Sequence, residues 1–140
     1  MSAADTIHAS CVALDGRAIL LTGPSGVGKS DLALRLIDRG WELVSDDYTI
    51  VTARDEGLFA TAPVTIAGQI EIRGIGIVTM PCRADLPVFL CCQLGVPVDR
   101  MPEPRSVRIA GVHIPCSAIS ALEPSAPIKV EQALYKASIA

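Results

Sequence analysis

Gly23, Gly28, Lys29 and Ser30 satisfy the pattern G-x-x-x-x-G-K-[ST], and sixteen residues beyond that serine stand two adjacent carboxylates, Asp46 and Asp47. Glycines let successive backbone N–H groups converge on a phosphate. A lysine neutralises the outer oxygens, a serine hydroxyl suits Mg2+, and the first turn of the following helix adds partial positive charge. The stretch Gly23, Pro24, Ser25, Gly26, Val27, Gly28, Lys29 and Ser30 is therefore the expected cradle for nucleotide phosphates. In phosphoryl transfer to an alcohol, an aspartate can accept the hydroxyl proton as the loose transition state collapses. A switch that hydrolyses GTP would carry a guanine-reading N-K-x-D, and none occurs here.

These groups act together only if the chain brings them together. "HASCVAL" and "RAILLTG" flank Asp15-Gly16, a two-residue hairpin signal because both turn positions need positive φ. That turn sets Leu14 opposite Arg17 and Val12 opposite Ile19, and continuing outward it sets His8 opposite Gly23, beside the start of the loop. From Lys29 the spacing becomes helical, with Leu32, Ala33, Leu36 and Ile37 on one face and Gly40 as the stop. "WELVS" reads as the next strand, so the strand–loop–helix–strand unit predicts a right-handed crossover to a parallel neighbour. The carboxyl ends of parallel strands share an edge, which would bring Asp46 and Asp47 to the loop. Alternation along a strand predicts that only one of the two aims directly at the terminal phosphate.

Further along, a second hairpin is expected around Arg54–Gly57. "GQIEIRGIGIV" alternates so that Glu71 and Arg73 share a strand face, where Glu71 is either a solvated strand acid or the second hard oxygen that Mg2+ wants, and the glycines at 74 and 76 mark a bend or a close backbone approach. "PVFLCCQL" reads as a buried strand, "RSVRIAGVHIPCSAI" as two short strands about Gly111, and "KVEQALYKASI" as a terminal helix. Leu134, Tyr135 and Ile139 on that helix would pack on the core or meet a partner, including a second copy of the chain as a homo-oligomer. Trp41 reads as a packing residue.

With 140 residues, half of them apolar, and no linker or repeat, the chain suits one domain, 1–140, with a substantial core. Its net charge of −3 and scattered basic residues argue against nucleic acid and against an anionic membrane surface. No apolar run reaches membrane-spanning length. Cys11, Cys82, Cys91, Cys92 and Cys116 form no C-x-x-C pair and are expected as buried thiols in a reducing cytoplasm.

Taken together, "GPSGVGKSDLALRLIDRGWELVSDD", the preceding His8 and "IEIRGIGI" resemble the catalytic domain of bacterial HPr kinase/phosphorylase, over about His8 to Val78. The resemblance implies an α/β P-loop domain of the phosphoenolpyruvate-carboxykinase-like type, with a mixed sheet, an N-terminal β-hairpin and a P-loop helix. It also implies an ATP- and Mg2+-dependent kinase that phosphorylates a serine of the phosphocarrier protein HPr, in a form limited to the catalytic domain. Matched residue by residue, it makes Asp47 the base, with His8 holding it and Lys29 on the phosphates. Ser30 and Glu71 become the Mg2+ ligands, and Asp46 an orienting neighbour. No counterpart of the family's G-R-N loop occurs, so the reverse, phosphorylase direction stays open, as do a nucleotide-sensing module and a small-metabolite kinase of the shikimate type.

Overall fold

The computed structural model describes residues 3–139. Strand β1 (Ala3–Leu14) turns through Asp15-Gly16 into β2 (Arg17–Thr22), with Leu14 opposite Arg17 and Val12 opposite Ile19 as the turn predicts. Both turn residues have positive φ, 52° and 76°. Pairing ends at Ala9 and Thr22, so the extrapolated His8–Gly23 pair does not form; His8 instead faces Tyr48 on another strand.

After the loop comes α1 (Lys29–Asp38), whose Leu32, Ala33 and Leu36 are buried. Gly40, at φ 104°, ends it and its N–H caps the Ile37 carbonyl. The chain then enters β3 (Glu42–Ser45), and here the expectation of a neighbouring parallel strand is corrected. β3 pairs antiparallel with β1, which itself pairs antiparallel with β2, so β1 lies between the two strands of the crossover unit. β3 is still parallel to β2, and its carboxyl end still reaches the edge that carries the loop.

Strand β4 (Tyr48–Arg54) continues along β1 from the same side, from His8–Tyr48 to Ala3–Ala53. β3 and β4 thus form one long companion to β1, broken only at Asp46-Asp47. β4 turns through Asp55-Glu56 into β5 (Gly57–Thr61), the expected second hairpin, which stops short of the 3-10 turn Val64–Ile66. The "GQIEIRGIGIV" segment is not one bent strand but a separate hairpin, β6 (Gln69–Ile72) and β7 (Gly76–Thr79). Arg73 therefore sits in its turn instead of sharing a strand face with Glu71. β8 (Leu86–Gln93) runs parallel to β2 on one side and to β10 (Val112–Ala118) on the other, and β9 (Arg105–Ile109) closes the edge. The terminal helix α2 (Ala126–Ser138) begins earlier than its apolar pattern, with Pro127 in the first turn, where a missing N–H costs nothing.

Because β8 also meets β5 antiparallel, strands β2, β1, β4, β5 and β8 curl round until the last pairs with the first. Period-two alternation then sorts the side chains into two cores. Ala9, Cys11, Ala13, Ala18 and Leu20 point into the curl with Val51, Leu58 and Val88. Val12, Ile19 and Leu21 point to the other face, where α1 and α2 cover them with Leu32, Leu36, Val130 and Leu134. The thiols of Cys11 and Cys92 are pushed up by burial and remain protonated. Cys82 departs from the expectation of buried thiols, since it is exposed, and Cys116 is only partly covered.

Trp41 is a packing residue, 3% exposed, that also has a polar role. Its Nε1 donates to Glu131 at 3.0 Å, and Arg39 donates to the same carboxylate at 3.0 and 2.6 Å, tying α1 to α2. The Arg39 hydrogen bond, helped by Trp41, holds the Glu131 carboxyl below its ordinary value of 4.5. A depressed folded-state value stabilises the fold fully above the ordinary value and loses that contribution as pH falls through the lower one. Glu131→Gln is thus expected to lower the melting temperature at neutral pH, with the difference from the parent shrinking below about pH 4. A difference independent of pH would refute the assignment.

Candidate functional site

Asp46 and Asp47 interrupt the companion strand of β1, and the interruption is what aims them. Asp47 adopts φ 69°, a left-handed conformation that aspartate tolerates better than most residues, and the Tyr48 N–H closes back on the Asp46 carbonyl at 2.8 Å. This kink breaks strand alternation. Both carboxylates consequently reach one cleft, whereas an unbroken strand would send them to opposite faces.

They reach it in different states. Asp46 is buried, 6% exposed, and saturated with donors: Ser10 Oγ at 2.9 Å and Ser30 Oγ at 2.7 Å on Oδ1, and the Glu71 backbone N–H at 3.1 Å on Oδ2. It joins β1, the phosphate loop and the β6–β7 hairpin through one side chain. Asp47 keeps a 59% exposed carboxylate, and its Oδ1 meets His8 Nε2 at 2.9 Å. The imidazole is steadied in turn by stacking on Tyr48, with ring centroids 5.2 Å apart. Ser10 completes the link, since its hydroxyl accepts from the Asp47 N–H at 3.1 Å while donating to Asp46.

The cleft has a volume of about 730 Å³, and Gly28, Lys29, Ser30, Asp46, Asp47 and Glu71 all line it. Lys29 is buried at its mouth, donating to the Gly23 and Pro24 carbonyls at 2.7 and 3.0 Å. Ser25 and Gly26 face the same cleft, whereas Val27 faces the other way. Gly23, Gly26 and Gly28 have φ of 149°, 84° and 104°, which turns the loop around a centre. At Gly23 even a methyl group is excluded, because its Cβ would lie 2.7 Å from the Leu94 carbonyl oxygen, on the strand end that backs the loop. Gly23→Ala is expected to distort the loop and with it the nucleotide-phosphate binding expected there, read as loss of an ADP-induced rise in melting temperature. A retained shift would show that the loop tolerates this displacement.

Of the residues expected here, Lys29, Ser30, Asp47 and Glu71 line the cleft together, and His8 joins them through Asp47. Asp46, expected as an orienting neighbour, is the hub that three donors reach, and Ser10 was not among the expected residues. The signal for Ser10 was slight: a lone hydroxyl two residues from His8, hence on the same strand face, inside an apolar run.

The model of the HPr serine kinase C-terminal domain matches residues 1–82, more than half of the chain. This chain belongs to that family. Over 74 residues it is 49% identical to an HPr kinase/phosphorylase of Limosilactobacillus reuteri, covering 52% of this chain and 23% of the relative. Over 84 residues it is 43% identical to one of Clostridium acetobutylicum, covering 60% and 28%. The chain therefore spans about a quarter of the length of these curated relatives. In three dimensions the likeness is nearly complete: the structure of the Hpr(Ser) kinase/phosphatase from Coxiella burnetii matches with a TM-score of 0.84 and 29% identity, covering 96% of this chain and 97% of that one. The mixed α/β P-loop fold expected from the sequence is thereby borne out, including the last third, which the family model does not reach.

The donors fit a hard divalent cation. Ser30 offers a hydroxyl and Glu71 a carboxylate, both oxygen ligands of residues that line one cleft beside the phosphate loop, while Asp46, engaged by its three donors, orients the Ser30 hydroxyl.

Proposed function

We propose that this chain is an ATP- and Mg2+-dependent serine kinase acting on the phosphocarrier protein HPr, working in the cytoplasm. The observation that carries the reading is the Asp46–Ser30 hydrogen bond, which couples the phosphate loop to an acid pair of which one member is buried among donors and the other is exposed beside His8. The family and the names of the relatives supply the acceptor.

Bound Mg2+ would neutralise charge on the terminal phosphates, and Ser30 and Glu71 would hold it, with Asp46 orienting the Ser30 hydroxyl. The loop N–H groups and Lys29 bind and align the phosphates. Asp47 accepts the proton of the acceptor serine as its oxygen forms the new bond to the terminal phosphorus and the bond to the ADP oxygen breaks. His8, donating to Asp47 Oδ1, keeps that carboxylate aimed. In the reverse direction the same carboxyl would return the proton. A base of this kind must be ionised and accessible, and Asp47 is the more exposed of the pair.

Incubation with HPr and Mg-ATP, followed by mass spectrometry, is expected to show HPr heavier by one phosphoryl group on a serine. HPr left unmodified while ATP still binds would favour a nucleotide-sensing module instead.

A further inference from the structure

The phosphate loop has a second cavity on the side away from the acids, and nothing in the reaction described above uses it. It measures about 890 Å³, within the range of small-molecule sites. Its walls are the segments that follow β8 and β10, the two strands that continue the parallel run from β2 on the side opposite β1. Their carboxyl ends therefore open at the same edge as the loop, the usual place for a ligand in an α/β sheet. We infer that this cavity receives the base and ribose of the nucleotide, an inference that rests on the proposal that the loop binds ATP.

Direction supports it first. The terminal phosphate must lie among Asp47, Lys29 and Ser30 if a hydroxyl is to be activated there, so the other end of the nucleotide must leave the loop away from the acids. Val27 of the loop lines the second cavity, and Leu122 lines both cavities, so the two spaces adjoin at the loop itself.

Chemistry supports it next. Val96, Val98 and Leu122 are 42%, 51% and 81% exposed around this cavity, an apolar surface of the kind a flat heterocycle covers. Asp99 stands among them as an acceptor for ribose hydroxyls or an exocyclic amine, and Glu123, whose Oε1 accepts from Lys129 at 3.0 Å, keeps its other oxygen for the same purpose.

The wall that follows β10 is also built in place. Arg35, on α1, donates to the Ala121 and Glu123 carbonyls, the latter at 3.3 Å, and its Nε is held by Asp31 at 3.0 Å. The Ile119 N–H bonds the Gln93 carbonyl at 3.0 Å, joining one wall to the other. Gly95 packs so closely behind the loop that a Cβ there would stand 2.8 Å from Val27 Cγ2. The wall after β10 and the base of the wall after β8 are thus fixed relative to the phosphate cradle.

The test is to measure binding of ADP and of tripolyphosphate, without metal, to the parent chain and to two variants. Ser120→Trp fills the cavity from the end of β10, and Val98→Asp replaces an exposed apolar wall residue that the fold does not need. The parent is expected to prefer ADP, and each variant to weaken ADP by roughly tenfold or more while leaving tripolyphosphate within about twofold. The subsite is overturned, with the phosphate loop's role intact, if the parent binds both ligands equally, if neither variant affects ADP, or if both ligands weaken together. If neither ligand binds the parent, the nucleotide reading fails and the subsite with it.

Discussion

Asp47→Asn is expected to leave nucleotide binding near the parent value and to lower phosphate transfer to HPr by about 10²–10⁴-fold, the usual worth of a positioned general base. The substitution suits the question because so little else depends on this carboxylate. Its side chain is 59% exposed and its one close side-chain partner is His8, which an amide oxygen can still receive at the same 2.9 Å. The backbone kink at φ 69° is one that asparagine also tolerates. Shape, fold and phosphate cradle therefore persist, and only the capacity to take a proton is lost. Transfer should be followed by mass spectrometry of HPr and binding by the ADP-induced shift in melting temperature. Undiminished transfer would remove Asp47 from the chemistry, and loss of binding together with transfer would mean that it holds the nucleotide.

Asp46→Ala is expected to behave differently, damaging the fold as well as the reaction. Three donors converge on this carboxylate, and the two serine hydroxyls can rotate toward other acceptors. The Glu71 N–H cannot, because the backbone fixes its direction. Leaving this partly buried donor without its partner costs at most about 1–3 kcal/mol, which for a domain of this size lowers the melting temperature by up to roughly 3–10 °C. The β6–β7 hairpin, tied to the site through that bond, should loosen with it. Since Ser30 and Glu71 would hold Mg2+, losing the residue that orients them is expected to weaken metal dependence by about 10–100-fold, seen as a higher Mg2+ concentration for half-maximal transfer. An unchanged melting temperature would contradict the hub assignment. Substituting both aspartates separates the roles, because stability should follow Asp46 alone.

The difference between the two acids was not readable from their order in the chain. Two adjacent aspartates at a strand end look equivalent, and strict alternation would have sent them to opposite faces. One left-handed residue changed that, and its conformation is stabilised by the Ser10 hydroxyl from a strand more than thirty residues earlier. Glu71 reaches the cleft by a route that alternation along a strand does not describe. The residue lines the cleft, the contact that anchors it there is its backbone N–H, and the face it was to share with Arg73 dissolves into a hairpin turn.

By itself the sequence determined what depends on residues close along the chain: the Asp15-Gly16 and Arg54–Gly57 hairpins, the glycines and lysine of the loop, and the apolar faces of both helices. Turn conformations, phosphate-cradling backbone and helical periodicity are chosen over a few residues, so they are legible there. Tertiary structure alone decided that β1 would enter between β2 and β3, that the sheet would curl to pair β2 with β8, and that loops after β8 and β10 would enclose a second cavity. A strand's hydrogen-bonding edge is chemically the same for every suitable partner. Which one it takes is settled by how the two faces of the whole sheet bury their side chains together.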